Sequence, residues 1–342
     1  MKSRFFPFLL VAASVVAWTG AAGAQSADTT RGRAVAALKA EADSLAPLAK
    51  SALTRRFLDT VSELPTVAPR TVYHDSTRTR YWTAAQRAAL SDTAIRARVL
   101  DESFYYYTRY GSPLAYLRPL EILAGAGLSD VTAKHIADYG YGTIGHLRVL
   151  AAMGADVTGI DVDPLLRALY SAPSDTGTVR GRRGRAGRVR LITGSFPGDS
   201  MIAAAVGEGY DLFLSKNTLK NGYIHPAEPV NPRMLVNLGV SDSEYVATLY
   251  RMLKPGGSVL IYNLSPAPNQ PGTPYKPWAD GRCPFPEALW QGAGFQVIAF
   301  DRDDSPAAHA MGHALGWDRG PSAMDFEKDL FATYTLVQKP AP

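Results

Sequence analysis

The sequence predicts an α/β fold in which a mostly parallel sheet is flanked by helices, with a helical annex ahead of it. Three observations carry that expectation. The stretch Ile136 to Pro164 passes from a short apolar strand through a glycine-rich turn into a helix, then into a second strand that ends in an acid. Downstream, short apolar runs alternate with helical stretches, the order that builds a parallel sheet. Upstream, Arg31 to Leu64 is Ala-rich and spaces its apolar residues at helical intervals.

In chain order, Met1 to Ala24 reads as a secretory leader. Lys2 and Arg4 precede an apolar run from Phe5 to Trp18, and Ala22, Gly23 and Ala24 place the cleavage after Ala24. Pro7, Thr19 and Gly20 leave that run shorter than the ~20 residues of a membrane span, so no stable span is expected once the leader is removed. An uncleaved anchor is the other reading. The expected location is periplasmic or secreted. Residues 25–130 form the expected annex or lid. Pro65 to Pro69 break its first helix, and a second helical stretch is expected from Thr83 to Leu100. Ser103 to Leu120 then gathers five tyrosines.

The main domain is expected over residues 131–342. Gly140 and Gly142 can turn without a Cβ and let the backbone approach a ligand, and the helix from His146 to Met153 offers its N-terminus to an anionic group. Asp161 ends the second strand, where a carboxylate can accept both hydroxyls of a ribose; Val162 follows it. Read as Gly140, Gly142 and Gly145, the turn also fits the dinucleotide fingerprint, so a nicotinamide-dependent dehydrogenase stands as an alternative. Asp138 sits two positions before Gly140, where a carboxylate could hold an ammonium group and would repel a dinucleotide's phosphates. A helix or turn cap is the plainer role for it.

At these residues the chain resembles the class I S-adenosylmethionine-dependent methyltransferases, whose first motif has an acid, glycines at alternating positions, and an acid ending the second strand. Asp138, Gly140, Gly142 and Asp161 match it; Ile144 stands at the third glycine's position, with Gly145 one place later. The resemblance spans roughly Asp101 to Gln338. It implies S-adenosyl-L-methionine as cofactor and a Rossmann-like methyltransferase fold with a mostly parallel seven-stranded sheet. In such enzymes the segment holding the tyrosines often forms a lid, and Tyr110, before Gly111, is the residue expected to touch the cofactor's carboxylate. Packing of the annex on the core is the other role for it.

The third strand is expected at Val189 to Thr193. Ser195 follows it, where the family often has an acid beside the adenine amine, and Phe196 is placed to stack on the adenine or to pack the core. Tyr210 to Leu214 is the fourth strand, ending in Ser215, Lys216, Asn217 and Thr218, which the resemblance puts near the transferred methyl group. A helix from Asp242 to Leu253 runs into Lys254, Pro255, Gly256 and Gly257 and a strand from Ser258 to Asn263. Pro and Gly there are also an ordinary helix stop. A helix from Phe285 to Ala293, a strand from Phe295 to Phe300 and a closing strand from Phe331 to Val337 complete the sheet, and the resemblance implies an antiparallel strand inserted at its edge.

Methyl transfer from a sulfonium is an in-line displacement, so the protein chiefly aligns the acceptor and removes its proton if it has one. Asn217, whose amide donates and accepts, is the candidate for orienting an amine or hydroxyl; capping the next turn is its alternative. His225 is the candidate general base, against a structural role. Lys216 and Lys220 could attract an acidic substrate or be solvated surface, and Asn263 ends the fifth strand at the same rim. His309 and His313 share a helical spacing with no third metal ligand evident. The single Cys283 cannot form a disulfide within its own chain.

Removing Lys2 and Arg4 lowers the formal charge from +5 to +3. Much of the rest lies in residues 177–190, where Arg180, Arg182, Arg183, Arg185, Arg188 and Arg190 alternate with glycines. Without aromatic partners for base stacking, that run is expected to be a mobile, solvated insertion, and nucleic acid is not an expected partner. The expected partner is a small-molecule or protein methyl acceptor; the oligomeric state is not legible. Export sits uneasily with a cytosolic cofactor, so an exported, noncatalytic binding module that kept the fold stands beside the enzyme.

Overall fold

The structure, a computed structural model, describes residues 31–342 apart from residue 93; the expected leader and its cleavage site lie outside the described residues. The Ala-rich segment forms two helices, α1 (Arg33–Leu45) and α2 (Ala52–Thr60). Ala34, Leu38, Ala42 and Leu45 of α1 are buried, the stripe that its spacing anticipates. The stretch expected to be helical from Thr83 to Leu100 is not. Strands β1 (Arg70–His74) and β2 (Tyr81–Trp82) are followed by one short helix, α3 (Ala84–Ala88), and then by β3 (Arg96–Leu100), in a three-stranded sheet of order β2-β1-β3. Thr83 and Gln86 do form a capping box, so the helix start was real. The extended conformation of Arg96–Leu100 comes from its antiparallel ladder with β1, a nonlocal partner.

Helices α4 (Glu102–Tyr107) and α5 (Leu117–Gly125) lead into the main sheet. Glu102 is buried and its carboxylate accepts the backbone N–H groups of Ala34 (3.1 Å) and Val67 (2.8 Å), tying two distant parts of the annex together. Arg70 grips Asp175 with two hydrogen bonds of 3.0 and 2.8 Å, and Tyr105 donates to the same carboxylate at 2.9 Å. Four of the five tyrosines, Tyr105, Tyr106, Tyr107 and Tyr116, are buried in this packing, while Tyr110 is 49% exposed.

The main sheet is built from β4 (His135–Tyr139), β5 (Asp156–Asp161), β6 (Gly177–Arg180), β7 (Ala186–Thr193), β8 (Tyr210–Lys216), β9 (Leu253–Ser265), β10 (Gln296–Asp303) and β11 (Phe331–Gln338). Its order is β10-β11-β9-β8-β4-β5-β7-β6. Strands β7, β5, β4, β8 and β9 run parallel, and β11 pairs antiparallel with both β9 and β10. Between β4 and β8 the winding reverses, which makes the sheet doubly wound. It has eight strands rather than seven, because β6 pairs antiparallel with β7 at the far edge.

The basic insertion lies between the second and third parallel strands with Arg180, Arg182 and Arg188 exposed, as expected, but it has the regular structure that a plain loop lacks. The Arg-rich run is a hairpin whose Gly181 and Gly187 lie so close to the chain that an added Cβ would come within 2.0 Å of the Ala152 oxygen and 2.1 Å of the Ala155 oxygen. The alternation of Arg with Gly puts small residues where backbone meets backbone. Pairing decides the backbone conformation, and most of the arginines stay in solvent.

Successive residues of the central strands face opposite layers. Ile136, Leu212, Leu214 and Leu260 belong to a core shared with the annex, whereas Ala137, Phe213, Val259 and Ile261 belong to the core on the other face. Helices α6 (Gly145–Ala152) and α7 (Pro164–Leu169) contribute to the first layer. Residues of α8 (Ser200–Val206), α10 (Asp242–Met252) and α11 (Glu287–Gly292) contribute to the second, and the short helix α9 (Asn221–Ile224) lies between α8 and α10 in the chain. Helix α12 (Ser305–Leu315) follows β10, and α13 (Phe326–Asp329) leads into β11. Arg118 of α5 holds Asp304, at the start of α12, through bonds of 3.0 and 2.7 Å. Among the described residues no helix is long and apolar enough to cross a membrane.

Candidate functional site

The carboxyl ends of β5, β4, β8 and β9 open into one cavity of about 750 Å³, at the reversal point where doubly wound sheets bind ligands. Its residues fall into two halves by strand order. Asp161, Val162, Gly140, Gly142 and Tyr110 border the β5–β4 half; Lys216, Asn217, Lys220 and Leu264 border the β8–β9 half.

Asp161 ends β5 with both carboxylate oxygens aimed along the turn: one accepts the Gly142 N–H at 3.2 Å and the other the Asp163 N–H at 2.9 Å. Burial outweighs those bonds and pushes its pKa up to about 6. Val162 beside it is 63% exposed. Gly140 and Gly142 both adopt positive φ, 75° and 57°. A Cβ on Gly140 would stand 1.9 Å from the Thr218 Oγ1, and one on Gly142 would stand 2.8 Å from the Tyr110 Cδ2. Here the missing side chains make room for Thr218 and Tyr110, which lie over the turn. Gly145 starts α6 and does not line the cavity; a Cβ there would meet the Pro113 ring at 2.7 Å. Tyr110 carries the Arg109 guanidinium against its hydroxyl at 3.0 Å, and Arg109 reaches on to Asp163 at 2.6 Å.

Asp138 is wholly buried beneath the turn, where its carboxylate pairs with the Nε2 of His146 at 2.5 Å. Tyr116 stacks on that imidazole, ring centroids 3.6 Å apart and planes 9° off parallel. Burial lowers the pKa of His146, so a neutral ring donating from Nε2 to the carboxylate is the form that the site favours. Eight residues separate the two partners, and no local spacing rule announces the pair. The available signal was a polar imidazole among the apolar residues of the helix packed behind the glycine turn, where Arg148 is the one other polar side chain.

Ser195 and Phe196 lie off the cavity. Phe196 is buried beside Tyr139 and Tyr245, and the Ser195 carbonyl accepts the Asp199 N–H at 2.9 Å. Asn217, just beyond β8, adopts φ 64°, a left-handed conformation that Asn tolerates better than most residues. Its Oδ1 accepts the Leu264 N–H at 2.7 Å, fixing the side chain at the cavity wall. His225 caps α9 away from that wall, with its Nε2 2.9 Å from Asp242. Asn263 is buried and donates to the carbonyls of Leu219 (2.7 Å) and Gly281 (3.0 Å). His309 bonds the Leu330 carbonyl and His313 bonds Asp318, both at 2.6 Å.

The lysines were expected as attractors of an acid or as solvated surface. Lys220 is 4% exposed, and its ammonium donates to the Leu264 carbonyl and lies 5.4 Å from the Tyr223 ring. Lys216 places its ammonium 5.6 Å from the Tyr116 ring. Burial lowers Lys216 to about 8 and Lys220 to about 7, the second also by repulsion from the first. Cys283 is buried and inert, its thiol pushed up to about 12 by desolvation.

No family description matches the sequence, and no curated protein does. Among solved structures, the cyclase SpnF superposes at TM-score 0.40 with 19% identity, over 66% of this chain and 81% of its own. A cyclopropane synthase from Mycobacterium tuberculosis gives 0.39 and 15%, over 69% of this chain and 88% of its own. Phosphoethanolamine N-methyltransferase 2 of Haemonchus contortus, in complex with S-adenosyl-L-methionine, gives 0.37 and 15%, over 80% and 69%. The fold assignment rests on the chain's own strand order: a doubly wound parallel sheet, with the last strand β11 set antiparallel between β9 and β10, is the Rossmann-like methyltransferase fold.

Proposed function

We propose that the protein is an S-adenosyl-L-methionine-dependent methyltransferase acting on a small-molecule or protein acceptor through an N or O nucleophile. The observation that carries the reading is the carboxylate of Asp161 beside the Gly140–Gly142 turn, at the reversal point of the sheet and on the wall of the cavity. The residues fit the cofactor in three respects. Asp161 is placed to accept the ribose hydroxyls, the turn brings bare backbone to the cavity, and exposed Val162 offers an apolar edge to the adenine. Tyr110 and Thr218 lie over the glycines and would swing aside to admit it. Asp138 is already engaged by His146, so its support of the turn is indirect.

When bound, the cofactor supplies an electrophilic methyl group on a sulfonium. The chain's own part is alignment. Asn217 is fixed through its Oδ1 and keeps its NH₂ for an acceptor's lone pair. Tyr110 and Arg109, flanking the mouth, screen the site from water. His225 stands with Asp242 outside the cavity wall, where it would serve as base only after movement. We further take the protein to be exported, with Met1 to Ala24 removed.

The test is a thermal-shift comparison of S-adenosylhomocysteine with a nicotinamide dinucleotide. A shift with the first alone supports the methyltransferase; a shift with the dinucleotide alone selects a dehydrogenase. One observation favours a second reading, an exported noncatalytic module: the space above both glycines is filled by the protein's own side chains. No shift with either ligand would select it.

A further inference from the structure

The β8–β9 half of the cavity holds the ammonium groups of a buried lysine, Lys220, and of a half-buried one, Lys216, without giving either an ion pair. Neither Lys216 nor Lys220 belongs to any ion pair among the described residues, whereas Lys134 and Lys254 both pair with Asp211 on the same sheet. The partners that Lys220 does have are a carbonyl oxygen and the face of a tyrosine. A carbonyl uses one of an ammonium's three hydrogens and leaves its charge uncompensated. The acids on the cavity wall are Asp161, at the β5 end, and Asp329, whose carboxylate accepts the Asp325 N–H at 2.9 Å. Asp138 attracts Lys216 from behind the wall but is bonded to His146. Around the lysines the wall is apolar and aromatic: Met234, Leu264, Trp278, Trp317, Met324 and Leu330.

A buried charge without a counter-ion is costly, and a cavity that keeps one at Lys220, within reach of repulsion from the half-buried Lys216, is built for a ligand that brings the missing charge. We propose that this half of the cavity binds an apolar carboxylic acid, its carboxylate held between Lys216 and Lys220 and its hydrocarbon body against the Trp278 and Trp317 wall. The inference rests on the reading of this half as the acceptor site and names the substrate class. The carboxylate would take the free hydrogens of both ammonium groups, and Arg233 at the exposed rim would draw the anion in.

The test is calorimetric titration of the full chain with octanoate, and with octanol as the same body without the charge. The expected result is octanoate binding at least about tenfold tighter than octanol, with that advantage lost in both K220M and K220Q. Two independent replacements separate loss of charge from a packing fault, and octanol binding reports whether the apolar wall survives in each. Equal binding of octanoate and octanol to the native protein overturns the inference, as does a K220M protein that holds octanoate as well as the native one. Titration of the same samples with S-adenosylhomocysteine distinguishes the two readings. Octanoate binding without it removes the methyltransferase and leaves the acid site; the reverse result removes the acid site alone.

Discussion

Lys220→Met should stabilise the protein, and by more at pH 7 than at pH 9. An unfolded lysine keeps its proton up to its ordinary 10.5, whereas burial and the nearby Lys216 drop Lys220 to about 7 in the fold. Between those values the unfolded chain binds the extra proton, so this residue makes native stability rise with pH, by about 1.4 kcal/mol per unit. Below about 7 both states are protonated, and its contribution is flat and unfavourable. From pH 7 to 9 the native protein should therefore recover roughly 2–3 kcal/mol that the methionine variant never loses. Methionine keeps most of the length of the lysine stem and gives up only the ammonium that faces Tyr223, so little packing should be lost. Urea unfolding of both proteins at a series of pH values gives the difference directly, and Lys216, present in both, leaves the comparison standing. A stability difference that stays constant from pH 7 to pH 9 would refute the argument, because it would mean that Lys220 is not titrating as a buried, uncompensated amine.

Other consequences follow from the turn and its supports. Asp161 is raised from its ordinary 3.8 to about 6, so below pH 6 it is protonated and a poorer acceptor; S-adenosylhomocysteine affinity should fall about tenfold per unit there, measurable by titration at pH 7.5 and 5. The same shift makes the folded state bind the extra proton between about 4 and 6, so Asp161 contributes less stability as pH rises through that window. Gly140→Ala must place a Cβ on the Thr218 side chain, whereas Gly256→Ala, at a similar φ of 78°, meets nothing within 4 Å. Urea unfolding should find the Gly256 variant down by about 1 kcal/mol and the Gly140 variant by roughly 2 kcal/mol more. His146→Ala strips the buried Asp138 carboxylate of its imidazole partner and should cost roughly 3–5 kcal/mol, part of which the double replacement with Asp138→Ala restores; a single variant as stable as the native protein would show that the pair is not needed.

The parts legible in the sequence are those whose residue pattern is set locally. The strand, turn, helix and strand of Ile136 to Pro164 appear in order, because Gly140 and Gly142 take backbone angles that few other residues adopt. The central strands were legible because sheets covered on both faces need near-continuous apolar runs. What escaped depends on distant partners. Arg96–Leu100 is a strand only through β1, and Gly177–Arg180 only through β7; both lie on a sheet edge, are short and largely exposed, and lack a run of apolar residues long enough to announce a strand. At the site, Asp161 and Asn217 could be picked out by their place after a strand. The burial of Lys220 and the capture of Asp138 by His146 could not, since each follows from how the segments beyond β8 and α6 pack on the sheet.

Calorimetric titration of S-adenosylhomocysteine into residues 25–342, alongside Asp161→Ala, decides whether the carboxylate at the end of β5 holds the cofactor. Micromolar binding to the native protein that the variant loses is expected, with unfolding of the two otherwise alike. Absence of binding to the native protein, or binding that survives the loss of the Asp161 carboxylate, would contradict that role.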